Sequence, residues 1–454
     1  MSKLLHDAAE RAVRYLQGLD VRGVAPSPDS IAALSALDEP LPAGPSDPGE
    51  TLRKLDEIVS PATMAMAGSR FFGFVIGGSL PAALAANWLA GAWDQNAVLY
   101  RPTPGVSHME MVALRWLVEL FGLPAASAGA FVTGATVANL TALAAARHAV
   151  LDRVGWNVEA RGLFGAPPIE IIAGAEVHPS VTKSLGVLGL GRSRITLVPV
   201  DNQGRMRADR LPAMSGPTIL ILQAGNVNTG ACDSFPEILP AARAAGAWVH
   251  VDGAFGLWAA ASSKYAPIVR GIETADSWAT DAHKWLNVPY DCGLAFVRDA
   301  HALRAAMAVT AEYLPTETPQ RNPSDFTPEL SRRARGVEVW AALHSLGRSG
   351  VAELIERNSR CAKAIADRLA AAGFEILNDV VLNQVLVSFG PPEVTQKVIE
   401  AIQDEGTCWA GITKWQGRTA MRISVSSWAT TDEDAGRSAE VMVKTAKRIV
   451  TSAS

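Results

Sequence analysis

Four cysteines are all that the 454 residues contain, at positions 232, 292, 361 and 408, and they form neither a CxxC pair nor a Cys/His ligand spacing. A disulfide framework and a zinc site are therefore not expected, and the spacing suits a reducing compartment, with a cytoplasmic location as the reading. Long apolar runs are missing too. The nearest, PAALAANWLAGAW, ends at Asp94, well short of the roughly 18 to 20 residues that span a bilayer, so no membrane is expected. Charge of one sign never accumulates: 41 basic and 45 acidic residues are scattered to a net −4, with no Lys/Arg block to track a phosphate backbone. Nucleic acid is not expected as a partner. The N-terminal MSKLLHDAAERAVRYLQGLD carries charges inside its apolar pattern, which reads as an amphipathic helix and not as a signal peptide.

What is present is globular usage, 48% apolar and 19% charged residues, in a chain long enough to need two or more packed units. Leu4, Leu5, Ala8, Ala12, Val13 and Leu16 share one helical face, and prolines from Pro26 to Pro48 then break the pattern. Residues 1–60 are thus expected as an N-terminal helical arm, packed on a second subunit or folded back on its own domain. From about 110 to 300, short apolar runs (GAFVTGAT, IEIIAG, TILILQAG, AAGAWVHVD, CGLAFVRD) alternate with helical patterns. That alternation predicts an α/β architecture with a mostly parallel central sheet, in a large domain over 61–305. Long helical patterns followed by the runs VVLNQVLVSFG and RTAMRISVSS predict a small C-terminal α+β domain over 306–454.

Four short stretches carry candidate chemistry, each on a different sheet connection. VTGATVANLTA (132–142) is a small-residue turn that leaves the N–H groups of a helix start open, with the Thr133 and Thr136 hydroxyls beside them. It is a phosphate cradle, or a tight turn with a threonine N-cap. In GAEVHPSVTKSLG (174–186), His178 stands before Pro179, where the chain turns. Its ring can stack on a flat ligand or move a proton, or it is a hydrogen-bonded loop histidine. Asp252 ends the apolar run of AWVHVDGAFG (247–256), where an unpaired carboxylate is costly and asks for a cation. A ligand's protonated ring nitrogen, an arginine or a helix cap would each serve. Lys284, in SWATDAHKWLNVPYDCG (277–293), sits among apolar neighbours, where a desolvated amine attacks aldehydes; the common fate of a lysine is a solvated surface charge. Jointly the four meet the requirements of pyridoxal 5′-phosphate, an electron sink for carbanions.

On these residues the chain resembles the group II pyridoxal-phosphate decarboxylases, the family of aromatic-L-amino-acid and glutamate decarboxylases, within fold type I (PLP-dependent transferase-like). The matching runs are DAHKW with DCG, HVDGAFG, GNVNTGACD (225–233), AEVHPSVTKSLGVLG and ELSRRARGVEVWAAL (329–343), within a resemblance from about residue 15 to 445. The resemblance implies decarboxylation of an L-amino acid through a Lys284 Schiff base and a quinonoid intermediate, with pyridoxal 5′-phosphate as cofactor. It implies Asp252 as partner of the pyridine nitrogen, His178 stacked on the ring, Ala254 against the opposite face, and His283 beside the lysine near the phosphate. Gly134, Ala135 and Thr136 would hold the phosphate, helped by Asn226 or Asn228. The segment FFGFVIGGSLP (71–81) with Val98 and Tyr100 would wall the substrate pocket, and Phe74, Val75, Ile76 and Val98 lean toward an aromatic or apolar side chain. Arg422 would meet a substrate carboxylate or form a structural ion pair. A homodimer is implied, with the arm and the 315–333 loop completing shared active sites.

Two features depart from the family. The turn reads TGATVAN where many members carry a Gly-Gly pair and an acidic residue. Decarboxylating members usually carry a loop tyrosine that protonates Cα, whereas relatives with phenylalanine there make aldehydes by oxidative deamination. Here the loop PTETPQRNPSDFTPELSRR (315–333) has Phe326 and no tyrosine, and Tyr313 just before it is the last in the chain. Ordinary decarboxylation is expected, with His178, Tyr313 or water as proton donor. An aldehyde synthase or another C–C lyase is the alternative.

Overall fold

A computed structural model describes residues 1–309 and 320–453, so Tyr313 lies outside the described residues, as does the start of the loop from Pro315. The chain divides into two compact units: Met1–Gly78 with Arg360–Leu377 and Val385–Ser454, and Ser79–Ser359 with Asn378–Gln384.

The second unit holds seven strands: β1 (Ala128–Val132), β2 (Glu170–Gly174), β3 (Ile195–Val198), β4 (Thr218–Gln223), β5 (Trp248–Asp252), β6 (Ser277–Asp281) and β7 (Gly293–Val297). Their order is β1-β7-β6-β5-β4-β2-β3, and β7 alone runs against the rest. The mostly parallel sheet read from sequence is therefore present. Two of its strands, β3 and β6, were not anticipated. Edge strand β3 leaves Thr196 and Leu197 exposed, and β6, SWATD, is buried at every position although three of its five side chains are polar.

Strands β4 and β5 are buried throughout, as expected where helices cover both faces. The helix Ala135–Asp152 packs against β5, β6 and β7 through a run of small residues, Ala138, Ala142, Ala145 and Ala149 among them. Short side chains let its axis approach the sheet closely. Because β1, β2, β4, β5 and β6 are parallel, their C-terminal ends share one edge, the edge at which open α/β sheets bind ligands.

In the first unit, β8 (Glu375–Ile376), β9 (Gln384–Ser388), β10 (Gly411–Trp415) and β11 (Arg418–Ser424) form a four-stranded sheet in the order β10-β11-β9-β8. The helix Pro392–Glu405 packs on β11 and on the final helix, Asp432–Ala453. The helix Ser2–Gln17 buries no residue, and Leu5, Val13 and Leu16 are exposed along it. It is tied to its own unit by Arg11, whose guanidinium meets Asp56 at 2.8 Å, and by the Tyr15 hydroxyl, 2.8 Å from Thr63 Oγ1. The two helical patterns expected after residue 330 form one element, Gly336–Ala371, broken at Gly347, whose φ of 61° lies in the left-handed region that glycine enters freely. Among the described residues no helix is long and apolar enough to cross a membrane, and no cluster of potential metal ligands occurs.

Candidate active site

Three strand ends and one helix start supply the site. Asp252 closes β5 and is buried. Its Oδ1 accepts the Ala254 N–H at 3.2 Å and its Oδ2 accepts Asn139 Nδ2 at 3.2 Å. No lysine or arginine pairs with it among the described residues, so the arginine reading of this carboxylate fails. A buried carboxylate served only by neutral amides keeps lone pairs and charge for a further donor.

Lys284 follows the end of β6. Its Nζ lies 3.0 Å from Asp281 Oδ2, with the lysine side chain 19% and the aspartate side chain 2% exposed. It is therefore not a solvated surface charge. Asp281 also accepts the Ala135 N–H on Oδ1 at 2.6 Å and donates its own N–H to the Ala254 carbonyl at 3.0 Å. One residue, Asp281, thus links Lys284 and the start of the helix Ala135–Asp152 through its carboxylate and the Asp252–Ala254 turn through its backbone N–H.

His178 is the N-cap of the helix Pro179–Val187 and is turned by Pro179. Its Nδ1 accepts the Ser180 N–H at 3.2 Å and lies 2.8 Å from Ser180 Oγ. Ser180 Oγ in turn lies 3.2 Å from Asn139 Nδ2, which ties His178 to Asp252 through two side chains. His283 stacks on Tyr290 with ring centres 4.3 Å apart, and its Nδ1 accepts the Cys292 N–H at 3.0 Å. Burial pulls its imidazole below the ordinary value, against the opposing charge of Asp281, 3.5 Å from its Nε2.

The helix start is built for close approach. A Cβ on Gly293 would lie 2.4 Å from the Gly134 Cα, and one on Gly134 would lie 3.2 Å from His283 Cε1. The Thr136 and Val137 amides belong to the first helical turn and have no carbonyl one turn back. Those amides, the Lys284 amine and the Asp252 carboxylate form a donor set that fits a phosphorylated pyridine aldehyde.

Asn226 and Asn228 are buried in the turn after β4. Asn226 Oδ1 accepts the Asn228 N–H at 2.9 Å and the Thr229 N–H at 3.3 Å, so its amide shapes the turn itself. Gly225, with φ 93°, presses this turn onto Gly256, beyond the end of β5.

Val98, Tyr100 and Phe326 of the expected pocket wall lie along one segment of the second unit. Val98 accepts the Ser324 N–H on its carbonyl at 3.1 Å, and the Tyr100 N–H donates to Asn322 Oδ1 at 3.1 Å, so both run along the segment that follows Gln320. Phe326 packs with β1 and the helix Ala300–Met307, beneath the Arg321 guanidinium 4.1 Å from its ring centre. Arg321 bonds the Gly129 carbonyl, which places this cluster at the start of β1, the sheet edge opposite Asp252 and Asp281. In the first unit, Phe74 is exposed, has φ 54° and lies over Trp409, whereas Val75 and Ile76 are buried. Also in that unit, burial lowers the Arg422 guanidinium with no acidic neighbour opposing it, so its structural ion pair is not formed among the described residues.

Sequence reading missed Asp281, Asn139 and His250. His250 precedes Asp252 by two in β5 and so shares its face of the sheet, a signal that alternation alone could have supplied. Its Nε2 lies 2.9 Å from Asn139 Oδ1 and its Nδ1 lies 2.9 Å from Ser277 Oγ, and burial pushes the imidazole down to about 3.

The pyridoxal-dependent decarboxylase conserved domain matches residues 32–390. The chain is 27% identical to an aromatic-L-amino-acid decarboxylase of Bacillus atrophaeus, over 95% of this chain and 93% of that protein. It is 24% identical to a phenylacetaldehyde synthase of Arabidopsis thaliana, over 86% of this chain and 85% of that one. The crystal structure of Oryza sativa TDC with PLP and tryptamine superposes with a TM-score of 0.91 at 23% identity, covering 99% of this chain and 98% of that one.

Proposed function

Since the chain belongs to the pyridoxal-dependent decarboxylase family, and is a pyridoxal-phosphate-dependent amino-acid decarboxylase, we propose that Lys284, Asp252 and His178 carry its reaction and that its substrate has an aromatic or apolar side chain. The observation that supports the reading is the single hydrogen-bonded set joining His178, Asp252, Asp281, Lys284 and the Ala135 amide at one sheet edge.

When bound, pyridoxal phosphate supplies a protonated pyridine ring that accepts the electrons left by departing CO2. Lys284 Nζ is the amine that meets the cofactor's aldehyde, and Asp281 holds that amine in place. Asp252 would hold the ring nitrogen and keep its proton there, because a buried anion stabilises a neighbouring cation. The Thr136 and Val137 amides, with the helix dipole behind them, receive the phosphate. His178 would stack on the ring, and its Nε2 proton would be available to the substrate's α-carbon, its Nδ1 being taken by the Ser180 N–H.

The expected product is the amine. A second reading, release of an aldehyde, is supported by the absence of tyrosine from residues 314–333 and by the likeness to a phenylacetaldehyde synthase. A homodimer belongs to the same proposal. The helix Pro81–Trp93 is apolar on all sides yet exposes Trp88, Leu89 and Trp93, a pattern that asks for a second copy to cover it. A cytoplasmic location belongs to the same proposal, supported by the wide spacing of the four cysteines. A panel of L-amino acids scored for CO2, amine, aldehyde and hydrogen peroxide tests the reading. CO2 with amine from an aromatic substrate supports it, and equal rates on acidic or diamino substrates would refute the side-chain assignment.

A further inference from the structure

A chain of side-chain hydrogen bonds runs behind the site, and its directions are set from both ends. Trp248 Nε1–H is a donor only and lies 2.9 Å from Ser277 Oγ. Asp252 Oδ2 is an acceptor, so Asn139 must turn Nδ2 toward it at 3.2 Å. Asn139 Oδ1 then faces His250 Nε2 at 2.9 Å, which places the ring proton on Nε2 and leaves Nδ1 bare. Ser277 Oγ, 2.9 Å from that Nδ1, accepts from Trp248 and donates to His250. The second proton of Asn139 Nδ2 goes to Ser180 Oγ at 3.2 Å, and Ser180 donates its N–H to His178 Nδ1. His178, when neutral, therefore carries its proton on Nε2.

Asn139, His250 and Ser277 are all fully buried, and among the described residues no other partner competes for these atoms. The neutral state of His250 agrees with its burial. A charged His250 would still donate from Nε2 but would turn a second N–H on Ser277, where Trp248 already donates.

We propose that Asn139 and His250 are positioning residues that hold Asp252 and His178 in one fixed donor–acceptor pattern through this branched chain. Neither touches the reacting atoms, and the inference rests on the assignment of Asp252 and His178 to the cofactor. Its consequence is that the ring-nitrogen partner and the stacked histidine are set by one amide. Displacing Asn139 disturbs both.

The test is titration of full-length apoenzyme with pyridoxal 5′-phosphate, followed by absorbance, beside a thermal melt of each apoenzyme. Asn139→Leu and His250→Leu should weaken cofactor binding ~10-fold or more, the loss expected for a hydrogen bond to a charged group. His250→Gln keeps a donor toward Asn139 Oδ1 and should stay within ~3-fold of wild type by the same reasoning. Leu variants that melt cooperatively and bind as wild type overturn the proposal, as does His250→Gln failing as fully as His250→Leu. Should a Leu variant not fold, Ser277→Ala decides: it leaves His250 free to change tautomer without a large cavity and should bind several-fold more weakly, and unchanged affinity refutes the chain. A wild-type chain that takes up no cofactor overturns the functional reading with it, whereas normal wild-type uptake with indifferent variants overturns this inference alone.

Discussion

Acid should remove stability that His250 supplies, and the amount follows from its burial. The folded imidazole is pushed down to about 3, against an ordinary 6.5 in the unfolded chain. Between these values the unfolded state binds a proton that the folded state refuses, so stability is present above pH 6.5 and is lost as pH falls toward 3. One pKa unit is worth about 1.4 kcal/mol, so moving from pH 7.5 to pH 5 costs about 2 kcal/mol through this one group. Asp233 works in the opposite direction. Burial pushes its carboxyl up to about 6, although the Met206 and Gln223 amides donate to it, so it gains about 1 kcal/mol over the same interval. The comparison of wild type with His250→Gln cancels Asp233 and every other titrating group. Urea unfolding of both apoenzymes at pH 7.5 and pH 5, at one protein concentration, should show the wild type losing about 2 kcal/mol more than the variant. Equal losses in the two proteins would mean that His250 is not held neutral, and the directed chain from Trp248 to Asp252 would fall with it.

Two further outcomes are expected. Glu110 is buried between Arg332, 2.7 Å away, and Arg321, 3.2 Å away, and these arginines also hold carbonyls of β1. Glu110→Gln should cost about 3 to 5 kcal/mol, as removal of one partner from a buried ion pair does, read as a lower melting temperature and faster proteolysis between residues 320 and 335. Gly134 has φ 168°, extended backbone open to any residue, so Gly134→Ala should leave the melting temperature nearly unchanged. Its Cβ would nevertheless lie 3.2 Å from His283 Cε1, and cofactor affinity should fall; unchanged affinity in the titration would move the phosphate away from this turn.

The sheet was legible because β1, β2, β4, β5 and β7 each contain an apolar run that a two-sided layer requires. Strand β6 was not, because its Ser277 and Asp281 are buried for the bonds they make, to Trp248, His250, Ala135 and Lys284, and a hydropathy pattern does not register such partners. The same limit hid Asn139. It lies on a helix that is mostly alanine and leucine where it is buried, and its importance comes from standing opposite His250 and Asp252, residues more than a hundred positions away. Lys284, Asp252 and His178 stand out one at a time, Asp252 at the end of an apolar run, His178 after one, and Lys284 among apolar neighbours. Nothing in the spacing could say that a single aspartate, Asp281, would join the lysine to the helix start.

The position of Phe326 shifts the question of the product. Read from sequence, the contrast between tyrosine and phenylalanine on the 315–333 loop separates amine from aldehyde, and Phe326 is the only aromatic residue there. In the fold that ring is packed under Arg321 at the start of β1, and β1 and β6 run parallel, so it stands a full strand length, roughly 13 Å, from the edge that bears Lys284. Within one chain Phe326 is therefore not standing where a proton donor would stand, and in the proposed homodimer its loop would serve the site of the second copy. Among the described residues, the groups that stand near it include His178, whose Nδ1 is occupied by the Ser180 N–H, and Tyr290, stacked on His283. A histidine with its proton confined to Nε2 is a donor in its resting state and needs no loop to deliver it. On the proposed roles, the choice between amine and aldehyde would turn on how firmly Asn139 and Ser180 hold that ring as well as on the missing hydroxyl.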